Sequence, residues 1–264
     1  MHQFVYQRPG SLPEAVEQSI QAREGLFLAG GMTLIPTMKL RLAAPSNLID
    51  LTDLTELKGI RQEDNAIIVG ATTIHAQVAS TPEVRDLLPA LAALAESIGD
   101  PQVRNRGTIG GSIANADPAA DYPAAVVGLG AIVKTNTRTI AGDDFFTGLF
   151  ETALDPNELI VAVSFPIPQR AAYMKFPNPA SRYAIVGVMV SQGYDGVRVA
   201  VTGAGPNVFR VPEMEQALAD DFVPEVLEEI MVSADELNED LHASADYRAH
   251  LIKVMAKRAV VAAS

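Results

Sequence analysis

Apolar and polar positions along this chain change spacing in short blocks, from helical recurrence to brief apolar runs and back. Leu12, Ala15, Val16 and Ile20 recur at helical spacing behind Ser11, an N-cap that Glu14 completes as a capping box, and Gly25 ends the block. Leu26-Phe27-Leu28-Ala29 and Leu48-Ile49-Asp50-Leu51 read as short strands, with a short helix or turn between Leu34 and Leu42 that Pro45 stops. From Leu57 a second unit begins. Ile67-Ile68-Val69-Gly70 predicts a strand, with Thr72 or Thr73 capping the helix that follows. Leu87, Leu88, Leu91, Leu94, Ala95 and Ile98 predict one amphipathic helix closed by Gly99. An alanine-rich helix is expected from Ala119 to Leu129, then strands over 131–134 and 159–165. Pro166, Pro168, Pro177 and Pro179 punctuate a boundary near residue 175. Strands at 183–190 and 197–202 follow. The acidic remainder reads as mostly helical, with a solvated helical surface from Asp220 through Glu239 and a last helix from about Ser244.

Composition narrows the function classes. The chain has 264 residues, of which 48% are hydrophobic, so a sizeable core can be buried. A formal net charge of -12 argues against a nucleic-acid or anionic-membrane binder, which needs a basic face. With zero cysteines, disulfides, thiolate nucleophiles and cysteine-ligated metal clusters are excluded within this chain, which fits a reducing cytoplasm. No apolar run is long enough to span a bilayer, and the start at Met1 has no secretory-signal pattern. His2, His75, His242 and His250 are scattered, form no metal-ligand spacing, and read as ordinary.

Two glycine pairs carry the chemistry: Ala29-Gly30-Gly31-Met32-Thr33 and Thr108-Ile109-Gly110-Gly111-Ser112. Glycine lets a backbone approach a ligand closely and turn successive N–H groups toward an anion. Two such loops suggest a ligand with more than one phosphate held between them. Neither fits the GxGxxG or GxxxxGK[ST] patterns, which argues against a Rossmann or Walker A site. Taken singly, each pair is a tight turn.

The wider runs resolve this. The stretch from Gly99 to Pro123 contains Asp100-Pro101-Gln102-Val103-Arg104-Asn105-Arg106 before the second loop and Ala114-Asn115-Ala116-Asp117-Pro118-Ala119-Ala120-Asp121 after it. It resembles the flavin-binding signature of the molybdenum hydroxylase family. The run from Ala29 to Arg41 resembles that family's other FAD loop, and the likeness includes Lys175 to Val186 and Ala243 to Arg248. The chain is similar to the medium, FAD-binding subunit of the carbon monoxide dehydrogenase and xanthine dehydrogenase type.

That resemblance implies an α+β fold. A PCMH-type FAD-binding domain would occupy residues 1–175, built of two α/β subdomains, about 1–55 and 56–175. A smaller C-terminal flavoprotein domain with an antiparallel sheet and helices would occupy 176–264. Ala29, Gly30, Gly31, Met32 and Thr33 would wrap the FAD pyrophosphate, and Thr108, Ile109, Gly110, Gly111 and Ser112 would form the second wall. Asp121 matches a cofactor-bonding position, with Asp117 a second carboxylate of that kind. Ile98 and Ile160 match apolar lining positions, Lys175 a lysine beside the flavin, and Tyr183 an aromatic neighbour of the isoalloxazine. From the residues alone, Ile98 and Ile160 are equally ordinary core, Tyr183 a plain strand residue, and Asp121 a helix cap. Met32 stands where many relatives have Gln or His.

The function implied is electron transfer in a multi-subunit molybdenum hydroxylase. A large partner subunit would carry the molybdenum cofactor and a small partner the [2Fe-2S] clusters, assembled as a dimer of heterotrimers in the cytoplasm. No catalytic residue and no metal ligand is expected in this chain. A stand-alone FAD-dependent reductase or oxidase is the second reading and would need its own substrate pocket. A flavin-free scaffold is the third.

Overall fold

The computed structural model describes residues 1–263. The first unit is small: β1 (Val5–Gln7), α1 (Leu12–Gln21), β2 (Gly25–Leu28), α2 (Leu34–Lys39) and β3 (Asn47–Asp50). Its strands lie parallel in the order β1-β3-β2. Helix α1 starts as its sequence requires. Ser11 Oγ accepts from the Glu14 amide at 3.4 Å, and Glu14 Oε2 reaches back to the Gly10 amide at 2.7 Å. Ala15 is its fully buried contact, packed with Ile49, Leu51, Leu54 and Leu57.

The second unit runs through β4 (Ile60–Glu63), β5 (Ala66–Gly70), α3 (His75–Ser80), α4 (Pro82–Leu87), α5 (Pro89–Glu96), α6 (Pro101–Arg104), α7 (Ile109–Asn115), α8 (Tyr122–Gly128), β6 (Ile132–Thr135), β7 (Thr139–Ala141), α9 (Gly142–Phe145), β8 (Phe146–Gly148), β9 (Glu151–Thr152) and β10 (Ile160–Pro166). Its main sheet is antiparallel, ordered β4-β5-β10-β6-β7, and β8 pairs with β9 apart from it. Three expectations are corrected here. The helix over 87–98 is two helices, because Pro89 cannot continue the first and Leu88 turns out of helical geometry. Neither Thr72 nor Thr73 caps α3. Their hydroxyls donate to the carbonyls of Leu57 at 3.0 Å and Gly59 at 3.1 Å, tying the β5 exit to the turn before β4. The helix expected over 119–129 starts only at Tyr122, since Asp117 Oδ1 accepts from the Ala119 amide at 2.9 Å and holds a turn.

The third unit comprises β11 (Arg170–Pro177), β12 (Ala184–Gly193), β13 (Gly196–Thr202), β14 (Phe209–Arg210), α10 (Pro212–Asp220) and α11 (Ala245–Ala263). The four strands form one antiparallel sheet in chain order. Strand β11 was hidden in the sequence by its flanking prolines. It pairs with β12 along its length, Lys175 opposite Gly187. The terminal helix is as expected, burying Leu251, Ile252, Met255, Ala256, Ala259 and Val260 against this sheet. The acidic stretch is not the expected helical surface. After α10 there is only a 3-10 turn at Pro224–Leu227, followed by side-chain-held turns such as Asp240 Oδ1 accepting from the His242 and Ala243 amides. Aspartate and serine compete for the backbone there and unmake the helix.

Helix α8 joins the second and third units. It is buried on all sides, with Val126 and Val127 in the same core as Met189 and Ala200. A Cβ on Gly128 would lie 2.6 Å from Met189 Cγ, so only glycine lets the helix sit that low on the sheet. Among the described residues no helix is long and apolar enough to cross a membrane, and no cluster of His, Cys, Asp or Glu could hold a metal ion.

Candidate functional site

The parallel sheet delivers the first glycine loop from the end of β2. Gly31 turns it at φ +72, in the left-handed region that favours glycine. None of the amides from Ala29 to Thr33 finds an acceptor among the described residues. The loop's carbonyls, in contrast, are used: Gly31 O accepts from the Ile35 amide at 3.1 Å and Thr33 O from the Thr37 amide at 3.1 Å. Consecutive unpaired N–H groups facing a cleft make an anion nest.

The second loop is built differently. Thr108 Oγ1 caps α7 by accepting from the Gly111 amide at 3.1 Å. The Ile109 amide donates to Thr73 O at 3.1 Å, Gly110 to Ala71 O at 2.8 Å and Ser112 to Thr108 O at 3.0 Å. These amides are spent inside the fold. The expected symmetry between the loops is therefore absent: the first offers donors, and the second offers a wall. Gly110 is glycine because a Cβ there would meet Ala71 O at 2.7 Å, and Gly111 leaves the cleft open.

Between the loops lies a cavity of about 500 Å³. All of the residues proposed from sequence line it except Ile109 and Lys175. Ile109 is fully buried in the core of the second unit, and its side chain faces away from the cleft. Lys175 stands behind the wall, its Nζ 3.0 Å from Asp121 Oδ1 and 2.9 Å from Ser97 O, and it lines a neighbouring hollow with Arg182 and Asn178. Asp121 occupies the N-cap position of α8, but its side chain makes no capping bond. Its carboxylate accepts from the Tyr173 hydroxyl at 2.5 Å and from Lys175. Burial pushes the Asp121 carboxyl up, and Lys175 and Tyr173 pull against it. Burial also raises Asp117, against the pull of the Ala119 amide, and raises Tyr183, reinforced by those two carboxylates. Ile98 and Ile160 present apolar surface, and Met32 and Tyr183 sit at the exposed rim.

The third unit holds this wall in place. Gly203 donates its amide to Pro118 O at 2.7 Å, and the Thr202 hydroxyl reaches Ala120 O at 2.6 Å. The Asp117–Asp121 segment is thus clamped onto the antiparallel sheet.

Residues that sequence reasoning passed over also reach the cavity, among them His75, Asn115 and Glu158. Glu158 is locked by Thr135, Thr137 and Arg138, with its carboxyl driven well below the usual range, mainly by the Arg138 hydrogen bond. His75 is buried, its pKa lowered to about 4 by burial and then by Arg104, so it is neutral. A lone histidine at the start of an unremarkable helix gives no sequence signal. Its partner surface is Gly107, thirty-odd residues on in the chain, where a Cβ would lie 2.5 Å from His75 Nε2. Arg104 is tied back to the backbone, donating to Ile98 O at 2.9 Å.

An amide nest at one end of an apolar cleft, walled by a second glycine loop and a clamped carboxylate, is the arrangement of the class of proteins that hold a phosphate-bearing cofactor between subdomains. Comparison with known proteins identifies which. The family model described as the FAD binding domain in molybdopterin dehydrogenase matches residues 2–168, and that of the CO dehydrogenase flavoprotein C-terminal domain matches 171–263. The carbon monoxide dehydrogenase medium chain of Hydrogenophaga pseudoflava is 36% identical, over 98% of this chain and 96% of the relative. The nicotine 6-hydroxylase medium subunit of Paenarthrobacter nicotinovorans is 33% identical over 98% and 96%. The solved carbon monoxide dehydrogenase from Hydrogenophaga pseudoflava that lacks the Mo-pyranopterin moiety superimposes with a TM-score of 0.91 at 37% identity, covering 99% of this chain and 97% of that one. Quinoline 2-oxidoreductase from Pseudomonas putida 86 gives 0.89 at 28% identity, covering 99% and 96%. The chain belongs to the FAD-binding medium subunits of the molybdenum hydroxylase family and is an oxidoreductase component. The nest of unpaired amides and the glycine-lined cleft fit the pyrophosphate and body of FAD.

Proposed function

We propose that this chain is the electron-transfer subunit of a three-subunit molybdenum hydroxylase. Electrons would arrive from [2Fe-2S] clusters of a small partner and leave to an external acceptor, while a large partner carrying the molybdenum cofactor hydroxylates the substrate. A dimer of heterotrimers in the cytoplasm is the assembly proposed. Bound FAD supplies the redox chemistry, and the protein binds and orients it.

The observation that carries this reading is the run of unpaired amides from Ala29 to Thr33 on the wall of the cavity. In that role they neutralise the pyrophosphate without a cationic side chain, and the Thr33 hydroxyl adds a donor. Gly110 and Gly111 keep the opposite wall flat. Ile98 and Ile160 shield the ring system from water, and Tyr183 covers it at the rim. Asp121 keeps a carboxylate oriented toward the cleft because Tyr173 and Lys175 hold it from behind. The stand-alone reductase or oxidase reading has less support, since the relatives matched along nearly their whole length are named as the medium chain or medium subunit of larger enzymes.

The test is native purification of this chain from its source, with flavin absorbance and metal analysis. Co-elution of FAD, molybdenum and iron with a larger and a smaller subunit is the expected result. FAD with no partner at any salt would replace this reading with the independent flavoenzyme.

A further inference from the structure

His75 lines the cofactor cavity and Tyr122 packs against it, and the cofactor site has absorbed the chemistry of neither. Their rings lie 5.3 Å apart and tilted by 45°. His75 Nδ1 and the Tyr122 hydroxyl are both fully buried, and neither has a hydrogen-bond partner. Buried polar atoms of native proteins are paired, so two orphans on touching rings point to each other or to one shared water. The other imidazole nitrogen differs: Nε2 is not among the sealed unpartnered atoms, and the residue lines the cofactor cavity.

Its position there is fixed by two glycines. A Cβ on Gly107 would collide with Nε2 at 2.5 Å, and a Cβ on Gly30 would collide with the Gly107 Cα at 2.8 Å. The imidazole edge, Gly107 and the amide nest are therefore stacked in direct contact. The backbone also holds the imidazole, as the His75 amide donates to Gly107 O at 3.0 Å.

We propose that His75 is a further phosphate-binding residue of the cofactor site, its Nε2–H donating to the FAD pyrophosphate while the Tyr122 hydroxyl fixes Nδ1 as an acceptor. The inference rests on FAD occupying this cavity. An imidazole with one proton has a donor at only one nitrogen, so a hydroxyl that donates to Nδ1 leaves the proton on Nε2. Burial and Arg104 keep the ring neutral, so the donor contributes direction rather than charge. Tyr122 acts through His75 and is a positioning residue.

The test measures binding of FAD, ADP and riboflavin to the flavin-free full chain by calorimetry. ADP carries the pyrophosphate and riboflavin lacks it. His75→Leu is expected to weaken FAD and ADP about tenfold and leave riboflavin unchanged, as for loss of one hydrogen bond to a charged group. His75→Gln, which keeps a donor near the Nε2 position, is expected to recover most of the loss. Tyr122→Phe is expected to weaken FAD and ADP a few-fold. In ¹⁵N spectra the wild-type FAD complex should show His75 as the Nε2–H tautomer, and Tyr122→Phe should turn it into a mixture. Equal weakening of all three ligands would reduce His75 to packing, and unchanged ADP binding or an Nδ1–H tautomer would overturn the proposal. If His75→Leu does not fold, the wild-type tautomer and His75→Gln still decide it. A wild-type chain that binds neither FAD nor ADP would instead refute the cofactor assignment itself.

Discussion

A Cβ built on Gly30 would lie 2.1 Å from the carbonyl oxygen of Arg106. Backbone meets backbone there, so no rotamer change relieves the clash. The contact is also where the parallel sheet's loop touches the second unit, which makes it the seam of the cofactor cleft. Gly30→Ala must open that seam. We expect a destabilisation of about 1–3 kcal/mol and at least tenfold weaker FAD retention, read by thermal melting and by flavin content after gel filtration. Gly111→Ala is the contrasting variant. Its Cβ meets only Thr108 Oγ1 at 2.9 Å, with Ala29 Cβ at 4.0 Å across the cleft. Alanine favours the helix by up to about 1 kcal/mol over glycine, which offsets the displacement of the Thr108 cap, so the melting temperature should hold while FAD binding falls. Equal melting losses in the two variants would refute the distinction.

The Asp121–Lys175 pair, 3.0 Å apart with both side chains buried, makes a second, separable prediction. Removing one partner leaves a buried uncompensated charge. Lys175→Met should cost about 3–5 kcal/mol in urea unfolding of the flavin-free chain. Adding Asp121→Asn to it should return most of that stability, because both charges are then gone. If the double variant is no more stable than Lys175→Met, the two residues do not act as a pair.

How much of this was legible beforehand follows from the range of the interactions. Helix α1 and the terminal helix were readable because their caps are local, Ser11 and Ser244 each accepting from the amide three residues on, although Ile20 of the expected α1 stripe is exposed. Both glycine loops were readable as well, since a close backbone approach demands glycine and leaves it in the sequence. What escaped depends on distant partners. Strand β11 is specified by its pairing with β12, and its flanking prolines spoke more loudly than its own residues. The division of labour between the loops was invisible, because it depends on Ala71 and Thr73 consuming the second loop's amides. His75 looks ordinary until Gly107 is folded against it. The acidic stretch misled in the other direction, since charge content suggested a helix where Ser233 accepts from the Asp235 amide and holds a turn.

Met32 offers a gain-of-affinity test. It lines the cavity at the exposed rim of the loop. Met32→Gln leaves the amides of Ala29 to Thr33 in place and adds a side-chain donor beside them. The expected result is FAD binding a few-fold tighter with an unchanged melting temperature of the flavin-free chain. Unchanged or weaker binding would mean that the loop's backbone alone sets the affinity.

The last prediction concerns acid. His75 has its pKa lowered to about 4 in the folded chain, where burial is the larger cause and Arg104 of α6 the smaller. Tyr122 of α8, the other titratable ring against it, is itself pushed upward and stays protonated throughout this range. In the unfolded chain a histidine titrates near 6.5, so between those values the unfolded state binds a proton that the folded state refuses. Stability from this group is therefore complete above about pH 6.5 and is lost as pH falls toward about 4, in total about 3 kcal/mol. Carboxylates titrate in the same window, and Asp117 and Asp121, both raised by burial, oppose the trend. Those contributions cancel when wild type is compared with His75→Gln, which has no proton to take up. Urea unfolding of the two flavin-free chains at pH 7 and pH 4.5 should show the wild type losing clearly more stability than the variant. Parallel losses would mean that the His75 ring is already protonated, or already exposed, in the folded chain.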